Sequence, residues 1–238
     1  MKHKIDMLMQ EFEFHSRGCR AVTAMLLFLA LVVTAQSVVA EEIERELVDI
    51  KSVVPSIVVD LRYAGTHNAM HRALYPPSMP ALIRPSVAKQ LLAAQNLLRP
   101  YGYGLKIWDA YRPKSAQRQL WQFAHDNLYV ANPDDGVGSM HTWGVAVDAT
   151  LVDVRGGPVS MPTDFDNFTS AAVLHYHGTD PIIRSHLKLL QRAMGRNGFY
   201  GQHTEWWHFV TKKWKNYVQY QDVQVTRQSP RTAPNGKL

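Results

Sequence analysis

The stretch that decides the fold is residues 139–152, Ser-Met-His-Thr-Trp-Gly-Val-Ala-Val-Asp-Ala-Thr-Leu-Val. Its second half, residues 145–152, alternates and is rich in β-branched residues, which predicts a strand. Asp148 stands among apolar neighbours in that strand, so we expect its side chain to be buried. A buried ionised carboxylate is costly unless it is paired or bound to a metal. A hydrogen bond from the backbone to Asp148 stays open as an alternative to a metal.

The segments on either side mix strands and helices. Strands are predicted at residues 57–63, 105–108 and 204–211, and helices at residues 86–98, 114–125 and 181–197. Asp180 can cap the last helix, and Pro181 suits its first turn. Because the order shows no regular βαβ alternation, we predict an α+β fold: a single domain with a central, mainly antiparallel sheet and flanking helices.

The N-terminal residues are typical of an export signal. Arg17 and Arg20 precede an apolar run at residues 21–33, and Val38-Val39-Ala40 places small residues before Glu41. This run is shorter than the roughly 20 residues that a membrane span needs. We therefore predict a cleaved signal peptide (1–40), one folded domain (41–220), a polar mobile tail (221–238) and an exported, periplasmic protein. An uncleaved membrane anchor is the alternative.

Charge and cysteine content limit the possible partners and ligands. The formal net charge is +6, but no dense run of Lys and Arg occurs, so we predict no nucleic-acid partner, and no membrane partner once the signal is removed. Cys19 is the single cysteine and lies in the predicted signal. Any metal in the mature chain must then be held by His, Asp or Glu.

A second motif lies at residues 205–208, where Glu205 and His208 stand three apart in an aromatic segment. Alone, the pair would fit a surface Glu and a core His. Together with His141 and Asp148, it completes a set of two His and one Asp, the three-ligand pattern of catalytic zinc sites, and leaves Glu205 as a base. Residues three apart in a regular strand face opposite sides, so we predict an irregularity at Trp206 or Trp207.

A third motif, Tyr111-Arg112-Pro113, holds Arg112 in an extended or turn conformation because of the following proline. We interpret Arg112 as the group that faces the carbonyl oxygen of the scissile bond and stabilises its developing negative charge. A surface arginine, or one paired with Asp109, is the alternative.

Together the motifs resemble the D-alanyl-D-alanine dipeptidases of the vancomycin-resistance type, in the zinc D,D-peptidase superfamily with its hedgehog-like fold. They are Ser-x-His-x-x-Gly-x-Ala-x-Asp at 139–148, Glu-x-Trp-His at 205–208 and Tyr-Arg-Pro at 111–113, supported by Asp-Leu-Arg-Tyr-Ala at 60–64 and Asp-Phe-Asp at 164–166. The resemblance runs from about residue 53 to residue 209.

The resemblance implies a role for each matching residue. One Zn²⁺ per chain would be held by His141, Asp148 and His208, with Glu205 as catalytic acid and base and Arg112 as the transition-state arginine. Asp166 would hold the substrate ammonium group, and Ser139 and Tyr63 would line the substrate pocket. From the residues alone, Asp166 could instead cap a loop or helix, Ser139 could satisfy its loop backbone, and Tyr63 could be core. His175 and His177 lie outside the motifs, and we interpret both as structural.

The function we expect is zinc-dependent hydrolysis of the dipeptide D-Ala-D-Ala to two D-alanines. A D,D-carboxypeptidase that trims peptidoglycan stem peptides is the alternative within the enzyme class. A non-catalytic zinc protein that binds cell wall is the alternative outside it. An unliganded Glu205 and the lack of a fourth ligand argue against the last interpretation. The residue that would bind the substrate carboxylate, and the oligomeric state, are left open.

Overall fold

The computed structural model describes residues 45–126, 128–217 and 219–220. The predicted signal peptide (1–40) and the predicted tail (221–238) lie outside these residues, so both stay predictions. Within the described ranges, every helix is too short or too polar to cross a membrane.

The described part of the chain contains seven strands and four helices in mixed order. The strands are β1 (Val48–Asp49), β2 (Val58–Val59), β3 (Leu82–Ile83), β4 (Tyr103–Asp109), β5 (Ala146–Asp153), β6 (Phe199–Gln202) and β7 (Glu205–Thr211). The helices are α1 (Ile50–Val53), α2 (Pro85–Leu98), α3 (Lys114–Ala124) and α4 (Pro181–Arg196). The α+β class is confirmed, and the three longer helices and the strands β4, β5 and β7 fall within a few residues of their predicted positions.

Five strands form the central sheet in the order β2-β4-β5-β7-β6. Only β2 and β4 run parallel, and the other three neighbouring pairs are antiparallel, as predicted. β1 and β3 form a separate antiparallel pair. The register of the central strands sets Asp109 opposite Asp148 and Asp148 opposite His208, so three polar residues lie side by side across three strands.

Helices α2 and α4 pack against each other and against the sheet. Asp180 begins α4, because its side chain accepts hydrogen bonds from the N–H groups of Ile182 and Ile183. The apolar faces of both helices join the sheet in one core, which includes Leu91, Leu98, Leu105, Ile107, Val147, Ala149, Leu187 and Leu190. Fully burying one of these leucine, isoleucine or valine side chains stabilises the fold by about 1.5–3 kcal/mol. Asp148 alternates with Val147 and Ala149, so it points to the other side of β5.

The predicted strand at residues 57–63 is wrong beyond Val59. β2 pairs with β4 only at Val58 and Val59, and the chain then enters a 3₁₀ turn at Arg62–Ala64. β4 is irregular at this point, because its pairing with β5 shifts register between Ile107 and Asp109. A longer β2 would need a regular β4 to pair with beyond Ile107. The turn instead brings Tyr63 to the site described next.

Candidate active site

Side chains from three separate elements meet at one point. The distance between His141 Nε2 and His208 Nδ1 is 3.1 Å, and Asp148 Oδ1 lies 3.0 Å from His208 Nδ1 and 3.3 Å from His141 Nε2. All three residues are buried. The structure therefore brings together the three residues that the sequence nominated as a ligand set.

The loop before β5 positions His141. Ser139 caps a short 3₁₀ turn, Met140–Trp143, by accepting a hydrogen bond from the backbone N–H of His141, and Gly144 ends the turn with φ +68°. His141 Nδ1 lies 2.6 Å from the carbonyl oxygen of Ala110. Because a carbonyl only accepts, Nδ1 carries the proton, and the lone pair of Nε2 points to Asp148 and His208. A backbone partner of this kind orients metal-binding histidines in proteins.

The arrangement fits a divalent metal ion. Three ligands of a tetrahedral ion with bonds of about 2.0–2.1 Å are separated by about 3.3 Å, and the three atoms here are separated by 3.0–3.3 Å. Burial lowers the pKa of His208, which keeps its imidazole neutral. Burial alone would raise the pKa of Asp148, but the neighbouring imidazoles of His141 and His208 hold it well below its usual range. Neutral imidazole and ionised carboxylate are the forms that bind metals. Burial acts to lower the pKa of His141, but the charge of Asp148 raises it, so a metal ion would displace a proton from this imidazole.

An irregularity in β7 brings Glu205 beside this triad. β6 pairs Gly201 with Phe209, but the next residue, Gln202, pairs with Glu205, so residues 206–208 lie between consecutive pairings. The predicted irregularity at Trp206 or Trp207 is confirmed. As a result, Glu205 and His208 line the same cavity although they stand three residues apart in the strand. Glu205 Oε2 lies 3.9 Å from His208 Nδ1. Burial raises the pKa of Glu205 well above its usual value, and the negative charges of Asp148 and Asp166 add to this effect.

Arg112 lines the cavity and is also paired with Asp109, so the two interpretations of this residue are compatible. Its Nε and Nη2 donate to Asp109 Oδ2 at 2.9 and 2.7 Å, and its guanidinium lies over the Tyr63 ring at 4.8 Å. Nη2 is 3.7 Å from Asp148 Oδ2. Burial acts to lower the pKa of Arg112, but the charge of Asp109 and further neighbours raise it well above its usual value. The side chain is a fixed cation beside the triad.

Asp166 and Tyr63 form another part of the cavity lining. The Tyr63 hydroxyl donates to Asp166 Oδ1 at 3.1 Å, and the backbone N–H of Ala69 donates to Oδ2 at 3.1 Å. Asp166 has φ +55°, a conformation uncommon outside glycine. Burial raises its pKa to about 7, although the Ala69 hydrogen bond and the charge of Arg112 act in the other direction.

The cavity itself is small, about 100 Å³. Pockets for drug-sized ligands have volumes of about 300–1,000 Å³. All eight residues nominated from the sequence line it: Tyr63, Arg112, Ser139, His141, Asp148, Asp166, Glu205 and His208. His175 and His177 are exposed and are absent from its lining.

Several residues of the site were not found from the sequence. The carboxylate of Asp109 accepts from Arg112 and from the Tyr75 hydroxyl, the latter at 2.8 Å. Gln117 accepts from Arg112 at 2.8 Å. The sequence had already suggested the pairing of Asp109 with Arg112, whereas Tyr75 and Gln117 carry no motif. An apolar wall was also missed; it comprises Leu120, Tyr129, Val130, Met140 and Phe168.

Sequence comparison finds a family and individual proteins that match this chain. The family described as D-ala-D-ala dipeptidase matches residues 43–226. The D-alanyl-D-alanine dipeptidase of Escherichia coli K12 is 33% identical over 172 residues, which cover 72% of this chain and 88% of that protein. The D-alanyl-D-alanine dipeptidase of Enterococcus faecium is 32% identical over 143 residues, covering 53% of this chain and 71% of that protein.

Two solved structures are similar at a more distant level. One is the vancomycin-resistance D,D-pentapeptidase VanY in complex with Zn(II), at 18% identity and a TM-score of 0.37, covering 56% of this chain and 75% of that chain. The other is the vancomycin-resistance D,D-dipeptidase VanXYg in complex with a D-Ala-D-Ala phosphinate analogue, at 17% identity and a TM-score of 0.36, covering 70% of this chain and 66% of that chain.

Proposed function

Since the chain belongs to the D-Ala-D-Ala dipeptidase family of metallopeptidases, we propose that it hydrolyses free D-Ala-D-Ala to two D-alanines, with zinc held by His141, Asp148 and His208. One observation carries the proposal: three metal-ligand atoms converge in a small cavity, and an acid that is outside the ligand set, Glu205, lies on the cavity wall. A purely structural metal site would need no such acid.

The donor set supports zinc. Two imidazole nitrogens and one carboxylate oxygen would supply three ligands, the number typical of catalytic zinc sites, and the single cysteine lies in the predicted signal. When bound, a zinc ion supplies Lewis acidity that lowers the pKa of a water molecule to roughly 7 and polarises a carbonyl group.

The residues of the chain divide the remaining work. Glu205 accepts the proton from the attacking water as the new C–O bond forms, and it returns that proton to the leaving amine nitrogen as the C–N bond breaks. The raised pKa of Glu205 suits a group that must hold and release a proton. The guanidinium of Arg112 stabilises the negative charge that develops on the carbonyl oxygen.

The substrate pocket favours a short peptide with a free amino terminus. Asp166, held by Tyr63 and the Ala69 N–H, is a carboxylate that can pair with an ammonium group. A cavity of about 100 Å³ leaves little room for a longer peptide. The relatives named above are both D-alanyl-D-alanine dipeptidases, which supports the same substrate.

The deciding experiment measures release of D-alanine from D-Ala-D-Ala and from a stem pentapeptide, each with and without a chelator. We expect release from the dipeptide and its loss on chelation. Release mainly from the pentapeptide would instead identify a D,D-carboxypeptidase. Release that resists chelation, with no metal bound to the purified protein, would overturn the zinc assignment.

We also propose that the enzyme works outside the cytoplasm. The basic, apolar and small-residue pattern at residues 17–40 supports export and cleavage after Ala40. Cell fractionation and N-terminal sequencing test this proposal. A mature chain that begins at Glu41 in the periplasm is the expected result, and an intact N-terminus in the cytoplasm would contradict it.

A further inference from the structure

Gln117 is a buried amide that joins Arg112 to the cavity wall. It lies in the first turns of α3 and is completely buried. Its Oε1 accepts from Arg112 Nη1 at 2.8 Å, and its Nε2 donates to the carbonyl oxygen of Ala131 at 2.7 Å. Burying an amide stabilises a fold little even when it is fully paired, so a buried helical glutamine with both ends engaged calls for an explanation.

The contacts of Arg112 suggest that explanation. A guanidinium has five N–H donors in a rigid plane. Three are engaged: Nε and Nη2 with Asp109 and one N–H of Nη1 with Gln117. The plane is thus held at two points, by Asp109, which precedes Arg112 in the chain, and by Gln117, which follows it. One N–H on each terminal nitrogen is left for the cavity that Arg112 lines.

We propose that Gln117 is a positioning residue for the reaction: it fixes the plane of Arg112, and the distance of Arg112 from the cavity wall at Ala131, so that the free N–H groups meet the oxyanion. This inference rests on the oxyanion role proposed above for Arg112. Asp109 holds only one edge of the guanidinium. Without Gln117 the Nη1 edge of the guanidinium is free to change its orientation. A displacement of a catalytic group by about 1 Å can reduce turnover roughly a hundredfold.

A merely structural role for Gln117 is the competing interpretation, and the chain offers a matched control. Gln95 in α2 is also buried, its Oε1 accepts from the Leu105 N–H at 2.7 Å, and its Nε2 lies 3.4 Å from the Ser56 carbonyl oxygen. Gln95 does not line the cavity. Gln95→Met therefore removes the same kind of buried amide without touching Arg112.

The experiment compares Gln117→Met, Gln95→Met, Arg112→Ala and the double variant Gln117→Met/Arg112→Ala, all loaded with zinc. For Gln117→Met we expect kcat on D-Ala-D-Ala to fall by about 10–100-fold, part of the hundred- to thousandfold typical of a lost oxyanion donor. We expect KM to change by less than about threefold, because the contact acts in the transition state. Zinc content should stay at one per chain. Affinity for a D-Ala-D-Ala phosphinate should fall in parallel with kcat.

The controls separate positioning from stability. Gln95→Met should lower the thermal midpoint to a similar extent and leave kcat unchanged. In the Arg112→Ala background, Gln117→Met should lower kcat by no further factor, because the residue acts through Arg112. If Gln117→Met folds poorly, Gln117→Asn takes its place: it keeps an amide but is one methylene too short to reach both partners, and the same loss of kcat is expected.

Three outcomes would overturn the inference. If Gln117→Met keeps normal kcat while Arg112→Ala is inactive, Gln117 does not position Arg112, and the proposed function stands. Equal losses from Gln117→Met with and without Arg112 would indicate a structural role. If Arg112→Ala itself keeps normal turnover, the oxyanion role of Arg112 fails, and the inference fails with it.

Discussion

At the level of single residues, the site is defined by a cluster of buried carboxyl groups around one guanidinium. Asp109, Asp148, Asp166 and Glu205 are all buried around the cavity, with Arg112 as the buried guanidinium among them. Burial is the main cause of the raised pKa of Glu205, and the charges of Asp148 and Asp166 raise it further. A divalent cation offsets such a cluster, and it becomes the largest local charge once bound.

The role of Glu205 is tested by Glu205→Gln, which keeps the shape of the side chain but cannot accept a proton. We expect kcat to fall by about 10²–10⁴-fold, the usual contribution of a general base. Zinc content, measured by metal analysis, should stay unchanged, since Glu205 lies outside the ligand set. His208→Ala is the contrasting variant and should lose the metal. Near-normal kcat in Glu205→Gln would rule out the assigned role.

The pH dependence of substrate binding tests Asp166. Its pKa is raised to about 7 by burial, so the carboxyl is largely protonated below that pH and cannot pair with an ammonium group. Raising the pH through about 7 ionises Asp166, and we expect KM for D-Ala-D-Ala to fall over this range. In Asp166→Asn, KM should be higher and should lose this pH dependence. An unchanged pH profile of KM in Asp166→Asn would contradict the assignment.

At the level of elements, two local departures from regular structure build the site. The extra residues of β7 bring Glu205 and His208 to one cavity, and the 3₁₀ turn before β5 presents His141. Such bulges and turns re-aim side chains that a regular strand would direct elsewhere. The pairing of β6 with β7 is therefore as important for the site as the ligands themselves.

Gly144→Ala tests the turn that carries His141. Gly144 has φ +68°, and an added Cβ would lie 2.5 Å from Leu47 Cδ2. We expect a loss of about 1–3 kcal/mol in the free energy of unfolding, measured by denaturant titration, and weaker zinc binding. Gly195→Ala is the matched control, because Gly195 lies in α4 with nothing within 4 Å of the added Cβ. It should stabilise the protein slightly. Equal effects of the two substitutions would contradict the prediction.

At the level of the whole molecule, the candidate metal site brings together residues that are far apart in the chain. His141 lies in the loop before β5, Asp148 in β5 and His208 in β7, and the pairing partners Asp148 and His208 are 60 positions apart in the chain. A ligand that binds only the folded state stabilises it by mass action. Metal binding and global stability should therefore be linked.

Chelation tests this link. Removing zinc that is present at about 100 times its Kd should lower the free energy of unfolding by about 2.7 kcal/mol. For a domain of this size, that corresponds to a fall of about 5–10 °C in Tm. We expect added zinc to restore both Tm, followed by circular dichroism, and turnover. The Tm of His208→Ala should not respond to the chelator. A wild-type Tm that is also insensitive would indicate that the site holds no ion.

The site chemistry and most of the elements could be predicted from the sequence, because they depend on local information. Helical periodicity located α2 and α4, and β-branched alternation located β5. A single cysteine in the predicted signal limited the ligands to His, Asp and Glu, and the spacing of Glu205 and His208 required an irregular strand. The helical periodicity, the strand alternation and the spacing of Glu205 and His208 each involve residues that are close together along the chain.

The tertiary structure decided what depends on strand order and register. Only the pairing of β4, β5 and β7 sets Asp109, Asp148 and His208 side by side, and only the early end of β2 turns Tyr63 towards Asp166. Gln117 had no sequence signal, because its partners, Arg112 and the Ala131 carbonyl, are set by how α3 packs against the cavity wall. Long-range packing fixes such contacts, and a motif confined to one segment cannot encode them.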